Sequence, residues 1–231
     1  MTTPRLQQAA LGSGRLPNVT ARRLRNIIAE CFAPRYLAGG GTPARRLKRL
    51  VSRVTTAEFR QLLLLYTCRA NMILADFIRH FYWERYAGGY SEISNVDARV
   101  FVERAIDRGL TSKRWSETTV RRVSAYLTGC CADYGLLEGG NKSNRKILQY
   151  RILPNVAAYL AYDLHFSGLG DNAVAAHEDW GLYGLGRDEV LVELKRLSLK
   201  GLLIIQAAGE VVRIDWKYQD MEAVCDVIAQ D

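Results

Sequence analysis

Long apolar runs are missing from this chain. Its longest stretch without a charged residue, Ile152 to Tyr162, is eleven residues, against the roughly 20 a membrane-spanning helix needs. Met1 to Pro17 has no apolar core of the secretory kind, so a cytoplasmic location is expected. Cysteine is sparse and unpatterned: positions 31, 68, 130, 131 and 225 give an odd number and no CxxC. That pattern excludes a disulfide framework and a zinc site, and predicts five unpaired thiols. The three histidines, His80, His165 and His177, stand apart with no HExxH.

Catalytic patterns fail in turn. Gly135 to Ser143 misses the phosphate-loop pattern because Asn141 separates Gly140 from Lys142. Gly168 to Ala173 matches GxGxxA, yet no strand precedes it and Asp171 would repel a phosphate. His177-Glu178-Asp179 reads as a cluster at a helix end, and there is no nucleophile elbow or acidic metal-binding set. The expectation is a protein without catalytic residues, metal, cofactor or small-molecule substrate.

Acidic residues are scarce in the first part of the chain. Residues 1 to 60 hold two Asp/Glu against twelve Lys/Arg, residues 61 to 110 six of each, and residues 111 to 151 three against eight. Residues 152 to 231 reverse the balance, with thirteen against six. Within 231 residues of net charge +8, the basic segments point to a polyanionic partner and the acidic end to packing or protein contacts.

The stretch from Ser112 to Arg151 organises the rest. Ser116 is a good N-cap, and Glu117 suits the positive end of a helix. Val120, Val123, Leu127, Cys130, Cys131 and Tyr134 recur at helical spacing before Gly135. Leu136-Leu137, a Gly-Gly-Asn turn and an alternating strand over Ile147 to Leu153 follow. Upstream, Ser94 to Asp97 starts a helix with Val96, Val100, Phe101, Ala105 and Ile106 on its apolar face. Together these predict a winged helix over residues 94–153, whose second helix would enter a DNA groove. Thr118, Arg121, Arg122, Ala125 and Gly129 fall opposite the apolar stripe, so a phosphate backbone could approach closely. Lys113 and Arg114 in the turn, and Lys142, Arg145 and Lys146 in the wing, complete this candidate DNA-binding set.

In chain order, residues 1–19 read as a flexible tail. A basic helical domain over 20–153 opens with Thr20, and Thr42-Pro43 starts a helix in which Leu47, Leu50, Val51 and Val54 pack. Arg45, Arg49 and Arg53 stripe its outer side at four-residue spacing, a candidate phosphate track kept despite mild repulsion. Thr55 to Glu58 is a capping box opening one long helix to about Tyr86, whose Phe81-Tyr82-Trp83 end reads as core or domain junction. Residues 154–231 read as an acidic winged-helix-like domain. It has helices over Val156 to Phe166, Asn172 to Trp180 and Arg187 to Leu199, a hairpin around Ala207 to Glu210, and a closing helix from Met221 to Ala229. The fold class expected is mainly α: a helical bundle with a central basic winged-helix unit and a C-terminal acidic one, each with a short β-hairpin.

Several short motifs carry a resemblance. Ala75-Asp76-Phe77-Ile78, Tyr82-Trp83-Glu84-Arg85-Tyr86, Trp115-Ser116-Glu117-Thr118-Thr119 and Asp133-Tyr134-Gly135-Leu136-Leu137 occur in an order similar to the BrxA family. So do Trp180 to Leu185, Leu197 to Gly201 and Val211 to Trp216. BrxA is a small accessory protein of BREX bacteriophage-exclusion systems. The resemblance implies a mostly helical, non-enzymatic protein that binds double-stranded DNA beside other BREX components. The alternative reading is an assembly subunit whose basic surface contacts another protein or RNA. A sequence-specific transcription regulator fits less well, because the outer face of the 117–134 helix has no Asn or Gln for reading adenine.

Overall fold

Helix-forming segments broken by capping residues and glycines dominate the computed structural model, which describes residues 2–228. The fold is mainly helical, with two small antiparallel sheets of two strands each. Two compact units divide the chain: residues 1–70 with 218–231, and residues 71–217. This division differs from the expected boundaries at 19/20 and 153/154.

In the first unit, the stretch expected to be a tail contains α1 (Thr3–Gly12), with proline in its first turn where no N–H partner is required. It contacts α2 (Ala21–Asn26) and the π-helical segment Ile27–Leu37 that continues it. Thr20 caps α2 by accepting from the Arg23 N–H at 3.2 Å, and Leu24 and Ile28 are buried. Helix α3 (Ala38–Leu50) begins with a left-handed turn, since Gly39, Gly40 and Gly41 all have positive φ, a conformation glycine enters without a Cβ clash. Leu47 and Leu50 are buried beyond it, whereas Val51, expected to pack, is exposed.

Thr55 and Glu58 form the predicted capping box of α4 (Thr56–Arg69), which buries Leu62, Leu64, Leu65 and Tyr66. The expected single helix to Tyr86 does not form. Asn71 leaves helical geometry (φ −143°, ψ 89°), and its side chain accepts from the Leu74 N–H at 3.3 Å. An asparagine offering its own acceptor to the backbone ends one helix and caps the next.

The second unit therefore opens with α5 (Met72–Phe77), a π turn over Ile78–Tyr82, and α6 (Trp83–Ala87). Strand β1 (Glu92–Ser94) leads into α7 (Asn95–Asp107), which turns Ala98 and Val102 inward. Val96 and Val100, expected on its apolar face, lie outward, Val96 being 69% exposed. Phe101 packs 5.2 Å from Phe77, ring centre to ring centre. Helix α8 (Glu117–Asp133) buries Val120, Leu127 and Cys131 as its spacing predicts.

The strand expected over Ile147 to Leu153 lies earlier. β2 (Asn144–Lys146) pairs antiparallel with β1, and a single bridge joins Leu137 to Ile147. Its partner in the ladder is a strand that precedes α7, too short to show an alternating pattern in sequence.

Helix α9 (Pro154–Phe166) is buried along nearly its whole length. The segment expected as one helix from Asn172 to Trp180 splits into α10 (Asp171–Ala175) and a 3₁₀ turn, Glu178–Tyr183. Then come α11 (Arg187–Leu199) and the hairpin of β3 (Leu203–Ala208) with β4 (Val211–Trp216), as expected. The Asp171 carboxylate accepts from the Ile214 N–H at 2.9 Å and the Trp216 indole at 3.1 Å, fixing α10 to the hairpin. Trp83 donates to the Leu182 carbonyl at 3.3 Å and Arg79 pairs with Asp179 at 3.2 Å, so the expected boundary at 153/154 runs through one packed unit. The closing helix α12 (Met221–Ile228) belongs to the first unit, packed against α3.

Candidate nucleic-acid interface

Helix α8 presents two arginines, Arg121 and Arg122, on its outward face. Ser116 accepts from the Thr119 N–H at 3.3 Å and sets where the helix begins. Its buried side, Val120, Ser124, Leu127, Thr128 and Cys131, fixes its rotation, so Thr118, Arg121, Arg122 and Ala125 face solvent. A Cβ added at Gly129 would meet nothing within 4 Å. Among the described residues neither Arg121 nor Arg122 has a carboxylate within 4.0 Å. The surface is flanked by small side chains, which leaves the guanidinium groups as its most prominent feature.

The turn before α8 exposes Lys113 and Arg114. Beside it, Arg99 sits between Glu103 at 2.7 Å and Glu117 at 3.6 Å, and these residues with Arg114 and Trp115 border a cleft of about 350 Å³. The hydrogen bond to Glu103 holds Arg99 above the usual range of an arginine, and Arg99 stays cationic.

The three cations of the 138–146 turn separate into different roles. Lys146 is exposed. Lys142 is exposed but pairs with Glu138 at 2.8 Å, and that hydrogen bond, with the charges of Lys142, Lys146 and Arg145, holds Glu138 below the usual carboxylate range. Arg145 is 9% exposed, lies opposite Ile93 in the β1–β2 ladder and donates to the Glu138 carbonyl at 3.0 Å. It braces the turn from inside. Three cations in a loop are visible in the sequence, but the register that turns the middle one inward is not.

The Arg45, Arg49 and Arg53 stripe is exposed, but its guanidinium groups are engaged within their own unit. Arg45 donates to the Gly40 carbonyl at 2.7 Å and to Thr42 at 2.8 Å. Arg49 donates to Asp226 at 2.7 Å through Nε, and Arg53 lies 3.8 Å from the same carboxylate. The same unit exposes Arg5, Arg15, Arg22, Arg23 and Arg25, which have no carboxylate partner among the described residues. Arg22, Arg23 and Arg25 are expected outward from the inward set of their helix, but none of the five belongs to the candidate DNA-binding set, although no acidic residue precedes Glu30.

None of the five cysteines, all among the described residues, forms a disulfide. No group of three or more His, Cys, Asp or Glu side chains positioned to hold a metal ion occurs among the described residues, and none of their helices alone is long and apolar enough to cross a membrane.

A mainly helical protein with a basic outward helix face is thus in view. The BrxA family profile matches residues 6–163, and the chain belongs to that family, accessory proteins of the BREX bacteriophage-exclusion systems. No curated protein and no solved structure matches the chain. The motifs at Trp180 to Leu185, Leu197 to Gly201 and Val211 to Trp216 lie beyond the matched residues.

Proposed function

We propose that this chain is a non-enzymatic, double-stranded DNA-binding member of its BREX system, holding duplex mainly through phosphates. β1, α7, α8 and the 136–148 turn act as a winged helix in this reading, with α8 at the groove. The observation that carries it is the outward face of α8, where Arg121 and Arg122 are exposed without carboxylate partners among the described residues. Exposed arginines flanked by Thr118, Ala125 and Gly129 suit a backbone that must come within hydrogen-bonding distance. Lys113, Arg114 and Lys146 supplement them, with Lys142 once it leaves Glu138. Arg145 supports the wing without touching DNA. Other BREX components are the expected protein partners, and the protein is expected to act in the cytoplasm.

A second reading, an assembly subunit, draws on exposed apolar side chains at Val96, Leu110, Leu199 and Val211. Titrating duplex DNA, single-stranded DNA and RNA at two salt concentrations separates the two. The DNA reading expects duplex to bind tightest, with affinity falling steeply as salt rises. Equal or weaker binding of duplex than of RNA would favour the second.

A further inference from the structure

The arginine stripe, Arg45 and Arg49 on α3 and Arg53 in the turn after it, fits the role of a phosphate site whose occupant is already present. Arg49 addresses Asp226 with two nitrogens, Nε to one carboxylate oxygen at 2.7 Å and Nη2 to the other. Arg53 Nη1 lies 3.8 Å from the first of those oxygens. A guanidinium fork binds carboxylate and phosphate with the same two-point geometry, and a second arginine beside it is what a doubly acceptor-rich phosphate takes up. Asp226 therefore stands in the position of a phosphate.

Two further observations bear on whether that occupant can be exchanged. Arg49 and Asp226 side chains are 42% and 39% exposed, so water and salt reach the pair and it adds little to stability. The helix carrying Asp226 is held by other contacts: Met221, Val224, Cys225 and Ile228 are buried. The carboxylate can swing away while α12 stays docked. A polyanion that releases condensed counterions on binding gains more from two arginines than one exposed aspartate does.

We propose that Arg49 and Arg53 form a phosphate-binding site that Asp226 occupies in the absence of nucleic acid, so that duplex DNA engages this unit by displacing an internal carboxylate. This rests on the DNA-binding reading above and adds a built-in competitor to it. Asp226 lowers affinity for weakly held polyanions and leaves room for duplex to compete.

The test is a set of fluorescence-anisotropy titrations with a mixed-sequence duplex at several salt concentrations, using full-length parent, Asp226→Asn and Glu222→Gln. Glu222 is exposed on the same helix, so its variant changes net charge equally without opening the arginine pair. Asp226→Asn should bind severalfold more tightly at low salt with nearly the same slope of log affinity against log salt, because in the parent too the bound duplex has displaced the carboxylate and engages both arginines. Glu222→Gln should show well under half that gain, and adding Arg49→Ala to Asp226→Asn should cancel it. Asp226→Ser, neutral and shorter, must reproduce the gain should the asparagine variant fold poorly. If the parent binds duplex and both neutral variants bind no tighter than Glu222→Gln, the displaced-carboxylate proposal is wrong while the DNA reading stands. If neither parent nor variants bind duplex even at low salt, both fall.

Discussion

At the scale of single residues, the same side-chain type does opposite work depending on register. Arg145 is buried against its own turn, whereas Arg121 and Arg122 project from the far side of α8. Arg145→Ala should therefore lower the melting temperature by several degrees, since it leaves the Glu138 carbonyl without its partner and empties a packed position. Arg121→Ala should leave it within error, and differential scanning fluorimetry on the two variants checks the contrast. Ser94 and Asp97 make a second residue-level case. Burial alone would raise the Asp97 carboxyl, but the Ser94 hydroxyl and N–H donate to it at 2.6 and 2.9 Å and hold it below its usual range. A carboxylate depressed in the folded state stabilises the fold above its unfolded value, and that contribution disappears as pH falls through the folded one. Ser94→Ala should cost about 1 kcal/mol at neutral pH, and the gap to the parent should narrow below the carboxylate range in urea unfolding. A gap that widens on acidification would contradict the capping assignment.

At the scale of elements, periodicity finds most helices, and local backbone chemistry decides where they end. The buried positions of α8 and the β3–β4 hairpin are legible because each has a clean period of its own. The break at Asn71 is not, since the apolar pattern runs through it and one side chain outweighs the pattern. β1 is invisible for a different reason: three residues are too few to alternate. Gly184 shows how closely elements meet where no pattern is visible. Its φ is +72°, and a Cβ there would lie 2.6 Å from the Trp83 ring, which itself donates to Leu182. Gly184→Ala should cost on the order of 2–3 kcal/mol, combining left-handed strain with overpacking. Equilibrium unfolding showing a destabilisation under about 0.5 kcal/mol would mean the 3₁₀ turn does not pack on Trp83.

At the scale of the whole molecule, charge divides less sharply by compact unit than along the sequence, because the acidic stretch after residue 151 is shared between the two units. The unit of residues 1–70 and 218–231 holds thirteen Lys/Arg against six Asp/Glu, and the unit of residues 71–217 nineteen against eighteen. The second unit is thus nearly neutral, and its candidate DNA face depends on where a few cations point. Sequence composition could show the basic excess, but not that Asp226 returns from the far end of the chain to meet Arg49. Thiol accessibility reports on the same packing. Cys31 is exposed, while Cys225 is buried on α12 and burial pushes its thiol up to about 11. Under native conditions in mildly alkaline buffer, a maleimide should label Cys31 within minutes and leave Cys225 unlabelled, with or without duplex DNA. Labelling of Cys225 that appears only with DNA would mean the whole helix detaches, not its carboxylate alone.

The central claim is that α8 faces duplex DNA, and salt dependence with the Arg121→Ala/Arg122→Ala double variant tests it most directly. Both positions lie outside the core, so the fold should survive and any change reports on binding. Affinity should fall by a similar factor on unrelated duplex sequences, with the slope of log affinity against log salt flattening by roughly 0.9 for each phosphate no longer engaged. A double variant that binds duplex as tightly as the parent at every salt concentration would contradict the account and shift attention to the arginines of the N-terminal unit.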